Sequence, residues 1–213
     1  MSTRILVFGD SIAYGNEDKN GGWVDRLKLF FIGKSFTDPN LYYSVYNLGV
    51  SGDTTEELLQ RLEFETKQRL WPDDEIIIMF NIGINDLELI NKEKRLKVSP
   101  QKFEANLQEL IVTARKFSSK IIFIGLAPVD DLKVNPLPWF PEVSYKNEYV
   151  KKFNEITKLV CEKNNVYFID ILKDFLDADY KKLLEDGAHP NSGGHKKIFE
   201  IVKNFLIKNK IVG

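Results

Sequence analysis

Two histidines are present in this 213-residue chain, so few side chains could act as a general base near neutral pH. His189 follows Asp186 by three residues, in a stretch whose Gly187 and Pro190 indicate a loop. Such a loop lets the carboxylate accept the imidazole Nδ1 proton, which fixes the tautomer and stabilises the imidazolium. His195 has no acid at a similar spacing, and it is predicted to lie at the surface or at a helix end.

Ser11 could be the group that such a base activates. It follows a short apolar run, residues 5–8, and the pair Gly9-Asp10. The run is too short for a helix and predicts a buried strand. In an open α/β sheet, chemistry gathers beyond the carboxyl ends of the strands, so Ser11 stands where a nucleophile would be useful. The alternative is that Ser11 only forms a turn or caps a helix.

Two later predicted strands also end in polar stretches. Residues 42–48 are rich in aromatic and β-branched side chains and lead to Gly52, while the apolar run 75–80 leads to Asn85. Parallel strands end at the same edge of a sheet, so Ser11, Gly52 and Asn85 are expected at neighbouring strand ends. Taken singly, Gly52 fits a simple turn equally well, and Asn85 fits a loop cap.

The whole chain alternates between strands and helices. Strands are predicted at residues 5–8, 42–48, 75–80, 120–126 and 166–171. Helices are predicted from Trp23 to near Gly33, after the capping pair Thr54 and Glu57, after Ser99-Pro100, after Ser144 and from about Gly194. This alternation predicts an α/β fold, a three-layer α/β/α sandwich around a five-stranded parallel sheet. The length fits a single domain, residues 1–213.

Composition excludes several function classes. Lys and Arg number 30 against 31 Asp and Glu, which gives no basic footprint for nucleic acid. The single cysteine, Cys161, cannot form an internal disulfide, and its helical phase predicts a packed thiol. No apolar stretch is long enough for a membrane span or a signal peptide, so a cytoplasmic location is expected, with a removed leader as the alternative. The oligomeric state stays open.

A proline-rich segment, residues 129–143, is predicted to lack regular structure and to act as a lid or binding loop. Three aromatic residues belong to it or follow it, namely Trp139, Phe140 and Tyr145. They could line a pocket for the acyl group or the alcohol of a substrate. They could equally pack the loop itself.

Four of these polar stretches, in this order, resemble the sequence blocks of the SGNH hydrolases, also called GDSL-type esterases and lipases. They are Gly9-Asp10-Ser11-Ile12, the glycine of Ser51-Gly52-Asp53, Gly83-Ile84-Asn85-Asp86 and Asp186-Gly187-Ala188-His189. The blocks span nearly the whole chain, and Ile12 stands where the family name has leucine. The resemblance implies a flavodoxin-like fold.

The resemblance also implies a role for each site residue. Ser11 would be the nucleophile, His189 the general base and then acid, and Asp186 the carboxylate that orients His189. The backbone N–H groups of Ser11 and Gly52 and the side-chain amide of Asn85 would form an oxyanion hole. These residue types fit the chemistry, because a serine hydroxyl needs a base and a tetrahedral intermediate needs donors for its negative oxygen.

Asp10 and Asp86 adjoin two of these blocks. Two acids could suggest a metal site, but the sequence offers no dedicated loop of oxygen ligands. Both are therefore assigned to hydrogen bonds that support the nucleophile and oxyanion loops. Neither a metal nor a cofactor is expected.

The expected activity is hydrolysis of short-chain acyl or acetyl esters through an acyl-enzyme on Ser11, with a small-molecule ester as substrate. One alternative keeps the same residues but passes the acyl group to an alcohol or sugar, as an acyltransferase would. A second, from a different class, is a non-catalytic flavodoxin-like module that binds flavin or a phosphate ligand. The loop at residues 11–16 disfavours the second, since it lacks the run of hydroxyl and glycine residues that cradles phosphate.

Overall fold

Eight strands form two sheets in the computed structural model, which describes residues 2–212. The strands are β1 (Ser2–Gly9), β2 (Tyr42–Gly49), β3 (Glu75–Asn81), β4 (Leu89–Ile90), β5 (Arg95–Leu96), β6 (Lys120–Ile124), β7 (Val143–Ser144) and β8 (Tyr167–Ile169). Five of them form a parallel sheet in the order β2-β1-β3-β6-β8, and the other three form a small antiparallel sheet in the order β5-β4-β7. The predicted five-stranded parallel sheet is confirmed.

Helices cover both faces of the main sheet. They are α1 (Ser11–Tyr14), α2 (Gly22–Thr37), α3 (Thr55–Lys67), α4 (Pro100–Ala114), α5 (Asn147–Lys163), α6 (Ile171–Leu176) and α7 (Ser192–Lys208), with a 3-10 turn at Tyr180–Leu183. α2 packs against α7, whereas α3 packs against α4 and α4 against α5. The three-layer arrangement that the alternation predicts is therefore present.

The core is built on the central strands. All side chains of residues 5–8 in β1 and 77–80 in β3 are fully buried, as expected for strands covered on both faces. Phe8, Phe80 and Phe123 are register partners across β1, β3 and β6. Their ring centroids are 6.0 and 4.7 Å apart, so this aromatic row supports the carboxyl end of the sheet, where the candidate site lies.

Local signals in the sequence account for two helix starts. Thr54 and Glu57 form a complete capping box at the start of α3. Ser99 caps α4 through its side chain, with Pro100 in the first turn. Cys161 is buried on α5, as its helical phase predicts.

Other local predictions are wrong. Ser144 does not cap α5, because its backbone pairs with Leu89 in the small sheet and its hydroxyl bonds the Asn91 side chain. The helix that begins near Trp23 does not end at Gly33 but continues to Thr37, since an exposed glycine costs a helix only about 1 kcal/mol. The strands predicted at 120–126 and 166–171 are shorter, and α6 was not predicted.

No helix within residues 2–212 combines the length and apolar character that a bilayer crossing requires. The domain boundaries predicted from the sequence, 1–213, include Met1 and Gly213, which lie outside the described residues. The single domain stays a prediction.

Candidate active site

Ser11 lies at the carboxyl edge of the main sheet, where the chain turns sharply out of β1. Gly9 pairs with both Gly49 and Asn81, so three strands end level there. A Cβ on Gly9 would lie 2.3 Å from the Asn81 carbonyl oxygen, so only glycine lets the chain turn this closely over β3. Asp10 caps α1 by accepting the Ile12 N–H at 2.9 Å. Ser11 is thereby held as the first residue of a short helix and is 5% exposed.

The loop before α7 brings His189 and Asp186 to Ser11. The Ser11 Oγ lies 3.0 Å from His189 Nε2, and His189 Nδ1 lies 2.6 Å from Asp186 Oδ2. The other oxygen of Asp186 accepts the N–H groups of Ala188 and His189, each at 2.8 Å. An ionised carboxylate only accepts, so Nδ1 donates to Asp186 and Nε2 is left to accept the Ser11 hydroxyl proton.

The charges around His189 favour its protonated form. Burial alone would lower the pKa of His189, but the hydrogen bond and charge of Asp186, together with the charge of Asp10, raise it above its usual 6.5. Burial likewise opposes ionisation of Asp186, yet the hydrogen bonds from His189 and Ala188 outweigh it and lower the pKa of Asp186 below 3.8. The pair is therefore suited to a histidine that gains a proton while its carboxylate stays charged.

Gly52 and Asn85 lie in the loops that follow β2 and β3, the two strands on either side of β1. The segment from Val50 to Asp53 is a turn closed by the Asp53 N–H on the Val50 carbonyl, and Gly52 within it has φ +88°, which favours glycine. The Gly52 N–H makes no hydrogen bond within residues 2–212. Asn85 Nδ2 donates to the Asp53 carbonyl at 2.9 Å, which ties the two loops together.

A small cavity of about 10 Å³ opens at Ser11, close to the least space that admits one water molecule. It is lined by Ser11, Ile12, Ile84, Asn85, Tyr145, Ala188 and His189. Of the three aromatic residues predicted near a pocket, only Tyr145 lines this cavity. Trp139 is 51% exposed, and its ring centroid lies 6.2 Å from that of His189, while Phe140 is half exposed and pairs with Leu137.

Asp10 and Asp86 are buried next to the starts of α1 and α3. Asp86 accepts the Thr55 N–H at 3.0 and 3.1 Å and the Thr55 hydroxyl at 2.5 Å, which fixes the start of α3. Burial raises the pKa of each acid to about 7. Each acid thus accepts a backbone N–H at the start of a helix, and its support of the nucleophile or oxyanion loop stays a prediction. Among the described residues, no three His, Cys, Asp or Glu side chains converge as metal ligands would.

Arg61 is a supporting residue that sequence reasoning missed. From α3, its guanidinium donates to the carbonyl of Leu48 at 2.9 Å and of Gly9 at 3.1 Å, and it pairs with Asp53 at 2.7 Å. It thus ties the ends of β1 and β2 to the Gly52 turn. Its place in a helix rich in charged residues gave no signal, because nothing in a charge pattern shows which cation points inward.

His195 lies in the first turn of α7, so the helix-end alternative is confirmed and the surface alternative is wrong. Its side chain is fully buried, and Nε2 lies 3.0 Å from the Asn16 carbonyl oxygen. A carbonyl only accepts, so Nε2 carries the proton, and the buried Nδ1 has no partner in the described part of the chain. Burial lowers the pKa of His195 and keeps the ring neutral. This histidine fastens α7 to the segment that follows α1.

The sequence comparison gives the class of protein. The model of the GDSL-like lipase/acylhydrolase family matches residues 7–197, and the chain belongs to that family. It is accordingly a hydrolase that acts on ester bonds.

Individual relatives are distant. The uncharacterized lipoprotein YqeF of Bacillus subtilis (strain 168) is 28% identical, over 90% of this chain and 82% of YqeF. Esterase TesA of Pseudomonas aeruginosa is 23% identical, over 93% of this chain and 85% of TesA. Among solved structures, the acetyl xylan esterase AlAXEase has the same fold, with a TM-score of 0.75, 21% identity and coverage of 95% of this chain and 99% of that one. The cytoplasmic location stays a prediction, and one of these relatives carries the name lipoprotein.

Proposed function

We propose that the chain is a serine esterase that cleaves acetyl and other short-chain acyl esters through an acyl-enzyme on Ser11. His189 takes the Ser11 proton as the hydroxyl attacks the ester carbonyl and gives it to the leaving alcohol. Water, activated by the same histidine, then releases the acid and restores Ser11. Asp186 holds the imidazole and stabilises its charged form. The N–H groups of Ser11, Gly52 and the Asn85 amide receive the charge on the carbonyl oxygen.

One observation carries this proposal. The hydrogen-bond chain runs without a gap from Ser11 Oγ to His189 at 3.0 Å and from His189 to Asp186 at 2.6 Å. The first distance allows proton transfer from Ser11 to His189 without rearrangement of the side chains, and the second holds the imidazole in place. The family supplies the ester class independently of this geometry.

The small cavity supports a short acyl group. Its volume of about 10 Å³ favours a small group such as a methyl next to Ser11, and Ile12, Ile84 and Tyr145 are among the residues that line it. The acetyl xylan esterase of the same fold makes acetyl the first acyl group to test. Trp139, half exposed with its ring 6.2 Å from that of His189, is a candidate contact for the alcohol part of the ester.

The test is hydrolysis of an aryl ester series from acetyl to octanoyl. Wild-type protein should prefer acetyl, and Ser11→Ala should lower kcat/KM by about 10³-fold or more, because the attacking oxygen is gone. The exposed Ser119→Ala is the matched control and should keep full activity. Undiminished hydrolysis by the folded Ser11→Ala protein would refute the proposal.

Added alcohol separates the hydrolase from an acyltransferase. With water as the final acceptor, free acid should remain the main product when glycerol or a simple sugar is present. If the ester of the added alcohol were the main product instead, the protein would be an acyltransferase that uses the same acyl-enzyme.

A further inference from the structure

Glu88 and Tyr145 meet beside the Asn85 side chain because of the small sheet. In the antiparallel pair β4 and β7, Leu89 lies opposite Ser144, so the next pair along is Glu88 and Tyr145. Tyr145 is 6% exposed and forms one wall of the cavity described above. Two segments far apart in sequence are thereby brought to the candidate oxyanion site.

The orientation of the Asn85 amide follows from its partners. The atom that faces the Asp53 carbonyl must be a donor, so it is Nδ2, at 2.9 Å. The other end, Oδ1, then faces the Tyr145 hydroxyl at 3.1 Å, and Tyr145 must be the donor. One N–H of Asn85 keeps no acceptor among the described residues, on a side chain that lines the cavity. Both ends of the Asn85 amide are therefore held by hydrogen bonds, and one N–H is left to donate into the cavity.

The Tyr145 hydroxyl has a second acceptor within reach. Glu88 Oε1 lies 2.8 Å away, and the other oxygen of Glu88 lies 3.1 Å from Lys97 Nζ. Burial, reinforced by the charge of Glu88, holds the pKa of Tyr145 well above 10, so the phenol keeps its proton. One proton thus serves two acceptors, and a carboxylate accepts more strongly than a neutral amide.

We propose that Tyr145 is a positioning residue for Asn85 and that Glu88 restrains it by competing for the same hydroxyl proton. As charge forms on the oxyanion, the Asn85 N–H is polarised toward it and Oδ1 becomes a better acceptor. The shared proton then shifts toward Asn85 and fixes the amide at the moment its donor is needed. This inference rests on the oxyanion role proposed for Asn85.

Two single substitutions separate this account from simple packing. Tyr145→Phe keeps the ring and removes the hydroxyl, and it should lower kcat about tenfold with KM within twofold, as expected for an interaction made mainly in the transition state. Glu88→Gln removes the competing charge, and it should leave kcat at or above the wild-type value. Steady-state kinetics on the acetyl aryl ester measure both.

A double-mutant cycle tests whether Tyr145 acts through Asn85. In an Asn85→Ala background, Tyr145→Phe should change kcat by less than twofold, because the group it positions is absent. Tyr149→Phe is the matched control, since burial and the neighbouring Glu148 also raise the pKa of that tyrosine, but its hydroxyl is not part of the site. It should leave kcat unchanged.

The contrary results are distinct. The inference fails if Tyr145→Phe leaves kcat unchanged, or if Tyr145→Phe lowers kcat equally in the Asn85→Ala background. It also fails if Glu88→Gln lowers kcat as Tyr145→Phe does. Should Tyr145→Phe fail to fold, Glu88→Gln and Glu88→Ala decide alone, and a fivefold fall in kcat in both would overturn it. Failure of the proposed function shows differently, as activity that survives Ser11→Ala.

Discussion

His189 and His195 are six residues apart and have opposite environments. His189 donates to a carboxylate and has its free nitrogen on a serine hydroxyl. His195 donates to the neutral carbonyl of Asn16, and its other nitrogen is buried without a partner among residues 2–212. Burial opposes a charge on both rings, but only His189 has an acid that reverses the effect. The hydrogen-bond partner of a histidine, more than its burial, therefore decides whether it can accept a proton during a reaction.

The largest difference should appear when each ring is removed. His189→Ala should lower kcat/KM by about 10³-fold or more, because no base remains to take the Ser11 proton. His195→Ala should change kcat/KM by less than about threefold in protein that is still folded. Kinetics and circular dichroism at a temperature well below both unfolding transitions measure the pair. Similar kinetic losses in the two folded variants would mean that the roles are assigned wrongly.

The pH dependence should carry the signature of His189. Protonated His189 cannot accept the Ser11 proton, so kcat/KM should fall about tenfold per pH unit below its pKa. That pKa is raised, so the acidic limb should lie above pH 6.5. In Asp186→Asn, burial lowers the pKa of His189 without the opposing charge of Asp186. The acidic limb of the residual activity should therefore move to lower pH. A limb that stays in place would show that Asp186 does not set the pKa of His189.

Removal of the His195 side chain should lower the free energy of unfolding, an effect smaller than the loss of activity expected at His189. His195→Leu should destabilise the fold by about 1–3 kcal/mol at pH 8, because leucine has no donor for the buried Asn16 carbonyl. The cost should shrink at pH 5, because the unfolded chain gains a proton near pH 6.5 that the folded wild-type ring, with its lowered pKa, does not. Urea unfolding at both pH values measures this difference. A cost that grows as the pH falls would contradict a neutral His195.

Much of the fold was predictable because its signals are local. The continuous apolar runs of β1 and β3 indicate strands buried on both faces, and Thr54 and Ser99 mark helix starts. The small sheet was not predictable. Its strands are two residues each, too short for any periodicity, and β4 pairs with β7, which lies about fifty residues further along the chain.

The candidate site divides in the same way. Ser11, His189 and Asp186 stand in short stretches whose glycines and spacing are visible in the sequence. Arg61 and Glu88 are not marked by any such pattern, because their importance comes from which carbonyl or hydroxyl the fold places before them. The burial of His195 was not predictable for the same reason, since its acceptor is a backbone carbonyl 179 residues away.

The hydroxyl oxygen of Ser11 is proposed to be the nucleophile that carries the acyl group in the covalent intermediate. The most direct test treats the protein with a fluorophosphonate and locates the adduct by intact mass and peptide mapping. The account predicts one adduct, on Ser11, that is absent from Ser11→Ala and forms far more slowly in His189→Ala than in His195→Ala. An adduct on another residue, or an unlabelled Ser11 in protein that hydrolyses the ester, would contradict it.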